Sequence, residues 1–435
     1  MMDGISVIFE KANRPLNGSI EVPGDKSISH RVAILASLAK GTSRIENIAD
    51  GEDVNATLEC LKALGISVSY EESHRHVKIT GRGLRGYIEP NKSLYAANSA
   101  TTMRILSGVL VGQSLNATIT GDESLINRPM GRIIGPLKAM GADISGRNRD
   151  VYAPINICGG ALNGIRHELM VPSAQVKSCL LFAGLFAKGP TSISGLIDSR
   201  DHTERLFEYS GIDIIKEDGI LTIGSDEMRR EPESYDLMIP GDISSAAFFL
   251  ALAAMVEGSC VEVRNVGINP TRMGFVDVLK RAGADIKISD EKCYGKEPVG
   301  NISVRCAKLS SFHISESEVP SMIDEIPLLA IIATKGSKMS IIEGVGELRI
   351  KESDRLEALV DGLRSMGADI KNVDDTLIIN PSELKGTNID AKGDHRMAMA
   401  CAIASQICEG KTEIVGFESV NVSYPNFESD LRALI

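Results

Sequence analysis

Six times along the chain a short polar stretch opens a long apolar run. A glycine closes the run, and apolar and polar residues then alternate. The first copy reads KSISHRVAILASLAKGTSRIENI (26–48) and the second NSATTMRILSGVLVGQSLNATIT (98–120). Further copies cover 173–196, 241–266, 324–345 and 393–417. The apolar runs predict helices and the alternating residues predict half-buried strands. The closing glycines are Gly41, Gly112, Gly189, Gly258, Gly336 and Gly410, separated by 71, 77, 69, 78 and 74 residues. Such a period marks a repeat architecture.

A second element runs in phase with the first. LKALGISV (61–68), LKAMGADI (137–144), FEYSGIDI (207–214), LKRAGADI (279–286) and LRSMGADI (363–370) each read as a helix end, a C′ glycine and a strand. A sixth copy, LRALI (431–435), stops where its glycine would stand. Each unit is then β-α-β-α-β-β, about 72 residues long, too small for a secure core alone. Three units around a shared helical core solve that, so six give two domains. The strands expected at 5–10 and 18–22 precede the first helix and are free to pair with the C-terminal half. The expected division is therefore a discontinuous domain, 1–22 plus 241–435, and an inserted domain, 23–240. The chain would cross between them near Pro23 and Pro240.

Composition narrows the function. Hydrophobic residues make up 43% and charged residues 24%, the profile of a globular protein rather than a disordered one. The net charge of −11 and the absence of Trp argue against general nucleic-acid or anionic-membrane binding. No apolar run approaches the ~20 residues of a membrane span. The eight cysteines are sparse, with none spaced CxxC, and read mostly as reduced core residues. The expected compartment is the cytoplasm.

Polar residues collect where the apolar helices begin: Lys26, Ser27 and Arg31; Asn98, Thr101 and Arg104; Ser173 and Gln175; Asp242; Asp324 and Glu325; Asp394, His395 and Arg396. Capping accounts for the Ser, Asn and Asp residues. It does not account for Lys26, Arg31, Arg104 and Arg396 in first turns, where a cation opposes the helix dipole by about 0.3–1 kcal/mol. An anion at the helix ends would offset that cost. In an acidic chain, such focused positive sites point to a small anionic ligand.

NRPMGR (127–132) places Arg128 before a helix. KESDR (351–355) reads as a helical face carrying Lys351 and Arg355, with Glu352 beside them; a solvated charged helix reads as well. In SRDHTER (199–205), Arg200 either reaches a ligand or belongs to a capped surface helix. Gly81–Gly86 matches GxGxxG but precedes YIEPN rather than a helix, so the dinucleotide context is missing. His74 and His76, in a charged, turn-like stretch, read as surface residues rather than metal ligands.

GDKSISHR (24–31), NSATTMR (98–104), RPMGR (128–132), SAQVKS (173–178), KESDR (351–355) and GDHRMAM (393–399) together resemble the 5-enolpyruvylshikimate-3-phosphate synthase family, in family order along nearly the whole chain. The resemblance implies an α/β fold of two inverse α/β domains, each of three repeats around a helical core. It implies transfer of the enolpyruvyl group of phosphoenolpyruvate to the 5-hydroxyl of shikimate 3-phosphate, in aromatic amino-acid biosynthesis. No metal or organic cofactor is implied, and the expected partners are these two substrates, with no nucleic acid or membrane; the expected state is a monomer. By motif match, Lys26, Ser27, Arg31, Ser173, Ala174, Gln175, Arg200, Asp324 and Lys351 would hold shikimate 3-phosphate. Lys26, Ala100, Arg128, Gln175, Arg355 and Arg396 would surround phosphoenolpyruvate. Asp324 is the candidate base for the 5-hydroxyl, although it also reads as a helix cap; Lys26 and Glu352 are candidates for proton transfer at the methylene carbon.

Two departures from the family pattern stand out. Ala100 occupies a slot where the family commonly has Gly, and SAQVKS (173–178) and RPMGR (128–132) resemble the family's glyphosate-tolerant-like variant branch. The C-terminal segment Val422-Ser423-Tyr424-Pro425 lacks the Lys that many members carry before it. One rival reading is the UDP-N-acetylglucosamine enolpyruvyl transferase, which shares the fold. It typically has a Cys in the loop before the Arg-Pro pair, and TGDESLIN (120–127) has none. The other is a non-catalytic anion-binding repeat protein, which would have lost charged residues that are present here.

Overall fold

The computed structural model describes residues 5–71, 73–224 and 230–435. The chain divides into two compact units. One is Gly24–Ile239 with Cys293–Glu297, here the inserted unit; the other, the flanking unit, is Met1–Pro23, Pro240–Lys292 and Pro298–Ile435.

In the inserted unit three sheets of four strands repeat one topology. Their orders are Asp236–Met238, Lys40–Glu46, Ser73–Arg82, Ser67–Glu71; then Leu94–Tyr95, Asn116–Thr120, Tyr152–Cys158, Asp143–Gly146; then Arg166–Leu169, Thr191–Gly195, Ile220–Ile223, Ile215–Glu217. The first pair of each is parallel and the remaining pairs are antiparallel. A core helix precedes the second strand of each order: Lys26–Leu38, Ala100–Leu110 and Ala174–Gly184. In the second and third sheets that helix joins the parallel pair, as parallel strands require. Ile28 through Leu38 are all buried, so the first helix has no solvent face over that stretch, and only Val32–Ala36 reads as a continuous apolar run.

The flanking unit repeats the scheme around helices Ile243–Met255, Ile326–Thr334 and His395–Ser405. Two of its sheets have four strands. The third has three, in the order Ser6–Glu10, Lys411–Val415, Asn388–Asp390. Ser6–Glu10 lies antiparallel to Lys411–Val415, where the other sheets hold the last strand of their own repeat. Asn17–Glu21 is the parallel partner of Cys260–Gly267, and Asp236–Met238 that of Lys40–Glu46. Copies one and four thus begin at their helices, and their first strands come from distant segments.

The second-element glycines adopt left-handed backbone, Gly65 at φ +83° and Gly283 at φ +96°, which ends each outer helix and turns the chain into a strand. Gly108 has a packing role instead. A Cβ there would stand 2.2 Å from the carbonyl oxygen of Cys179, so only glycine lets helices Ala100–Leu110 and Ala174–Gly184 approach this closely. Their N-terminal ends are brought together as a result.

Three expectations need correcting. His74 and His76 lie in strand Ser73–Arg82, not a turn, because the sheet extends through this charged stretch. Only Cys60, Cys179, Cys401 and Cys408 are buried; the other four free cysteines are half-buried or exposed, on strand faces and loops. The SRDHTER segment is not a surface helix: His202, Thr203 and Glu204 are buried in helix His202–Tyr209. Among the described residues, no helix is long and apolar enough to cross a membrane.

Candidate active site

The core helices of the inserted unit start at side-chain caps. Asp25 accepts from the Ile28 amide at 2.9 Å, Ser99 from Thr102 at 3.1 Å and Ser173 from Val176 at 3.4 Å. These caps make Lys26 a first-turn residue but put Arg31 and Arg104 one turn deeper, a correction to the sequence reading. Helical side chains lean toward the N-terminus, so a second-turn arginine still covers the first turn. Arg31 donates from Nη1 to the Ser27 carbonyl at 2.8 Å.

Arg31 is the centre of a buried hydroxyl cage. Nε donates to Thr203 Oγ1 and Nη2 to Ser178 Oγ, both at 2.8 Å, and the two hydroxyls are 2.7 Å apart. Burial pulls the Arg31 pKa down to about 10, with Glu204 opposing that effect. Arg200 Nη1 is 3.2 Å from Ser27 Oγ. The Lys26 ammonium pairs with Asp53 at 2.9 Å, an acid that sequence reasoning missed because an acid in the first turn of an outer helix, here Glu52–Ala63, is ordinary.

Gln175 joins two helix ends. Its amide donates to Thr101 Oγ1 at 2.9 Å, and its carbonyl oxygen accepts from Arg104, which also donates to the Pro129 carbonyl at 3.0 Å. Arg128 follows a short turn and precedes helix Gly131–Ala139. It is held by the Asn98 carbonyl at 3.3 Å, the Asn98 side chain and Ser124. Ala100 is the first helical residue beside Thr101 and is buried. Ala174 offers its carbonyl to Arg31 at 3.5 Å and to Ser178 at 2.7 Å.

In the flanking unit the charges are tightly cross-linked. Arg355, 1% exposed, donates Nε to Asp394 Oδ2 at 2.8 Å and Nη2 to Asp394 Oδ1 at 3.1 Å. It also bonds Glu352, and its Nη1 is 3.4 Å from Asp324 Oδ1. Burial alone would lower its pKa, but Asp394, Glu352 and Asp324 outweigh that and raise it, so the charge is permanent. Arg396 Nε lies 3.6 Å from the same Asp324 oxygen. Asp324 sits in the 3₁₀ turn Ile323–Glu325, one residue before the cap position of the following helix, which Glu325 occupies.

KESDR is not a single helical face. Asp354 caps the helix that begins at Arg355, accepting from the Glu357 amide at 2.9 Å, and residues 351–353 are bends ahead of it. Lys351 and Glu352 therefore reach their neighbours from a loop. Arg272 was also missed by the sequence reading. It is buried and donates to Ser244 Oγ at 2.6 Å and Asp242 Oδ1 at 3.3 Å, and Ser244 bonds the buried Glu325.

Six inverse α/β repeats in two units, with cations and carboxylates gathered at the core-helix starts, define the enolpyruvyl-transferase class of fold. The enolpyruvyl transferase NikO from Streptomyces tendae shares that fold at a TM-score of 0.79 and 16% identity, covering 99% of this chain and 98% of its own. A family model described as EPSP synthase (3-phosphoshikimate 1-carboxyvinyltransferase) matches residues 11–431. The 3-phosphoshikimate 1-carboxyvinyltransferase of Shouchella clausii (strain KSM-K16) is 41% identical over 434 residues, covering 100% of both chains. That of Geobacillus kaustophilus (strain HTA426) is 43% identical over 423 residues, 97% of this chain and 98% of its own. The EPSP synthase structure from Acinetobacter baumannii has a TM-score of 0.87 and 38% identity, covering 99% and 98% of the two chains. The chain belongs to the EPSP synthase family.

Proposed function

We propose that the chain transfers the enolpyruvyl group of phosphoenolpyruvate to the 5-hydroxyl of shikimate 3-phosphate, releasing phosphate, with its own residues in the following roles. Lys26, Ser27, Arg31, Ser173, Ala174, Gln175, Arg200, Asp324 and Lys351 hold shikimate 3-phosphate. Lys26, Ala100, Arg128, Gln175, Arg355 and Arg396 hold phosphoenolpyruvate. Asp324 takes the 5-hydroxyl proton, Glu352 and Lys26 serve proton transfer at the methylene carbon, and the arginines stabilise the phosphate and carboxylate charge.

The observation that carries this reading is the Arg355 cluster. A permanently charged guanidinium there touches both candidate proton-transfer carboxylates, Asp324 and Glu352. The acidic net charge and the free cysteines support a cytoplasmic enzyme acting as a monomer on small anions, without a nucleic-acid or membrane partner.

The test is phosphate release with both substrates present. Release that needs both supports the reading. Activity with UDP-N-acetylglucosamine in place of shikimate 3-phosphate, or binding without turnover, counts against it.

A further inference from the structure

Lys177 is a lysine with almost no exposed surface, at 1%. It lies in the first turn and a half of helix Ala174–Gly184, two residues after Gln175. A lysine ammonium has three donors, and leaving any of them unmet in a buried site is costly. Here all three are used. Nζ donates to the carbonyls of Ile197 at 3.0 Å and Ser199 at 3.3 Å, and pairs with Glu204 Oε1 at 2.7 Å.

Those acceptors are not scattered. Ile197 and Ser199 belong to the loop between strand Thr191–Gly195 and helix His202–Tyr209, directly ahead of Arg200. The loop is already tight, with the Ile197 amide on the Gly195 carbonyl and the Ser199 amide on the Ile197 carbonyl, both at 2.8 Å. Glu204 is on the following helix, next to Thr203, whose hydroxyl holds Arg31. One buried charge thus ties together the helix carrying Gln175, the loop presenting Arg200 and the helix presenting Thr203.

Core packing alone does not require an ion pair here. A well-packed apolar side chain in place of such a pair is often neutral or stabilising. The pair gives directionality instead: two carbonyl groups flanking Asp198 are drawn to one point, which fixes where the next residue emerges. We infer that Lys177, with Glu204, is the positioning residue for Arg200, setting its guanidinium against Ser27 and so determining shikimate 3-phosphate affinity. This rests on the proposed assignment of Arg200 to that substrate.

The test uses the full-length protein, with phosphate release measured while each substrate is varied in turn. Lys177→Met combined with Glu204→Gln removes both charges, so neither is left buried alone. The KM for shikimate 3-phosphate is expected to rise about tenfold, and that for phosphoenolpyruvate by less than about twofold, the coupling scale of contacting residues. In an Arg200→Ala background the same pair is expected to add nothing, because its effect runs through Arg200; full additivity would overturn the inference. An unchanged shikimate 3-phosphate KM in the folded double variant would overturn it too. Should that variant not fold, Glu204→Gln alone decides. A rise of about threefold that vanishes in Arg200→Ala supports the strap, and no rise refutes it. Arg200→Ala without effect on that KM refutes the substrate assignment itself, and the inference with it. Arg200→Ala with an effect and the charge-pair variants without one refute the strap alone.

Discussion

The Asp324 carboxylate and the Arg355 guanidinium meet at 3.4 Å, although they come from the starts of two different helices of the same repeat, the core helix Ile326–Thr334 and the outer helix Arg355–Ser365. Arg396 approaches the same carboxylate oxygen at 3.6 Å. A plain helix cap would have no need of two arginines. Asp324→Asn keeps the shape and removes the proton acceptor. Arg355 keeps Asp394 and Glu352 in the variant, so the local structure has other supports. Turnover is expected to fall by roughly 10²-fold or more, with a much smaller change in shikimate 3-phosphate binding. Steady-state kinetics and calorimetric titration together check this, and near-native turnover would assign Asp324 a structural role only.

Asp394 is the structural half of the same cluster. It takes two guanidinium bonds from Arg355, and its Oδ1 also caps helix His395–Ser405 through the Arg396 amide at 2.9 Å. Removing its charge leaves a fully buried arginine short of its main counter-ion. Asp394→Asn is expected to cost about 3–5 kcal/mol, the scale of a broken buried pair. Urea unfolding of both proteins measures it; a loss under about 1 kcal/mol would show that Glu352 and Asp324 suffice to compensate Arg355.

The repeat was legible because its punctuation is chemical. Asp25, Ser99, Ser173, Asp242 and Asp394 stand where caps are needed and do cap their helices. Lys26, Arg128 and Arg396 were legible as charges near helix starts, where elementary electrostatics disfavours them. Contacts between repeats were not legible. Nothing local tells Asp324 that Arg396 faces it, or that Thr203 holds Arg31, since these pairings depend on how helices pack. Helix starts were legible only to a turn. KESDR has two acids that could cap, and the second repeat of the flanking unit uses Asp354, which puts Lys351 outside the helix. The pairing of Ser6–Glu10 with Lys411–Val415 was open to the sequence because that strand precedes the first helix and has no repeat of its own to join.

His30 gives a pH prediction that does not depend on the substrate assignment. It is fully buried beside Lys26 and Arg31, with Nδ1 2.7 Å from Thr57 Oγ1. Burial first, and then those two cations, hold its pKa well below the usual 6.5. The folded protein therefore keeps His30 neutral where the unfolded chain takes up a proton. Its contribution to stability is complete above pH about 6.5 and declines as the pH falls below that value, by at most about 1.4 kcal/mol per pH unit for one proton. His30→Asn is expected to be less stable at neutral pH through lost packing, yet to show a flatter decline between pH 6.5 and 5. Urea midpoints across that range test it; parallel pH profiles for the two proteins would mean that His30 does not titrate on unfolding.

Ala100 adds one methyl group where the family commonly has Gly. It is the first residue of helix Ala100–Leu110, is 8% exposed, and stands beside Thr101, which is fixed by Gln175. The Ser99 cap and the Gly108 contact both pin this helix, so the methyl cannot easily be withdrawn. If glyphosate takes the phosphoenolpyruvate place in an extended form, as the family resemblance implies, the methyl intrudes on the longer inhibitor more than on the substrate. Overpacking a rigid site costs about 1–3 kcal/mol, or roughly 5- to 150-fold in affinity. Ala100→Gly is therefore expected to lower the glyphosate inhibition constant by a factor in that range, while the KM for phosphoenolpyruvate changes less. The same substitution should weaken the helix start by at most about 0.5–1 kcal/mol, because glycine loses more backbone freedom on folding than alanine. Inhibition competed against phosphoenolpyruvate in both proteins is the measurement. Equal inhibition constants would remove the steric account, because nothing else about the site differs between the two chains.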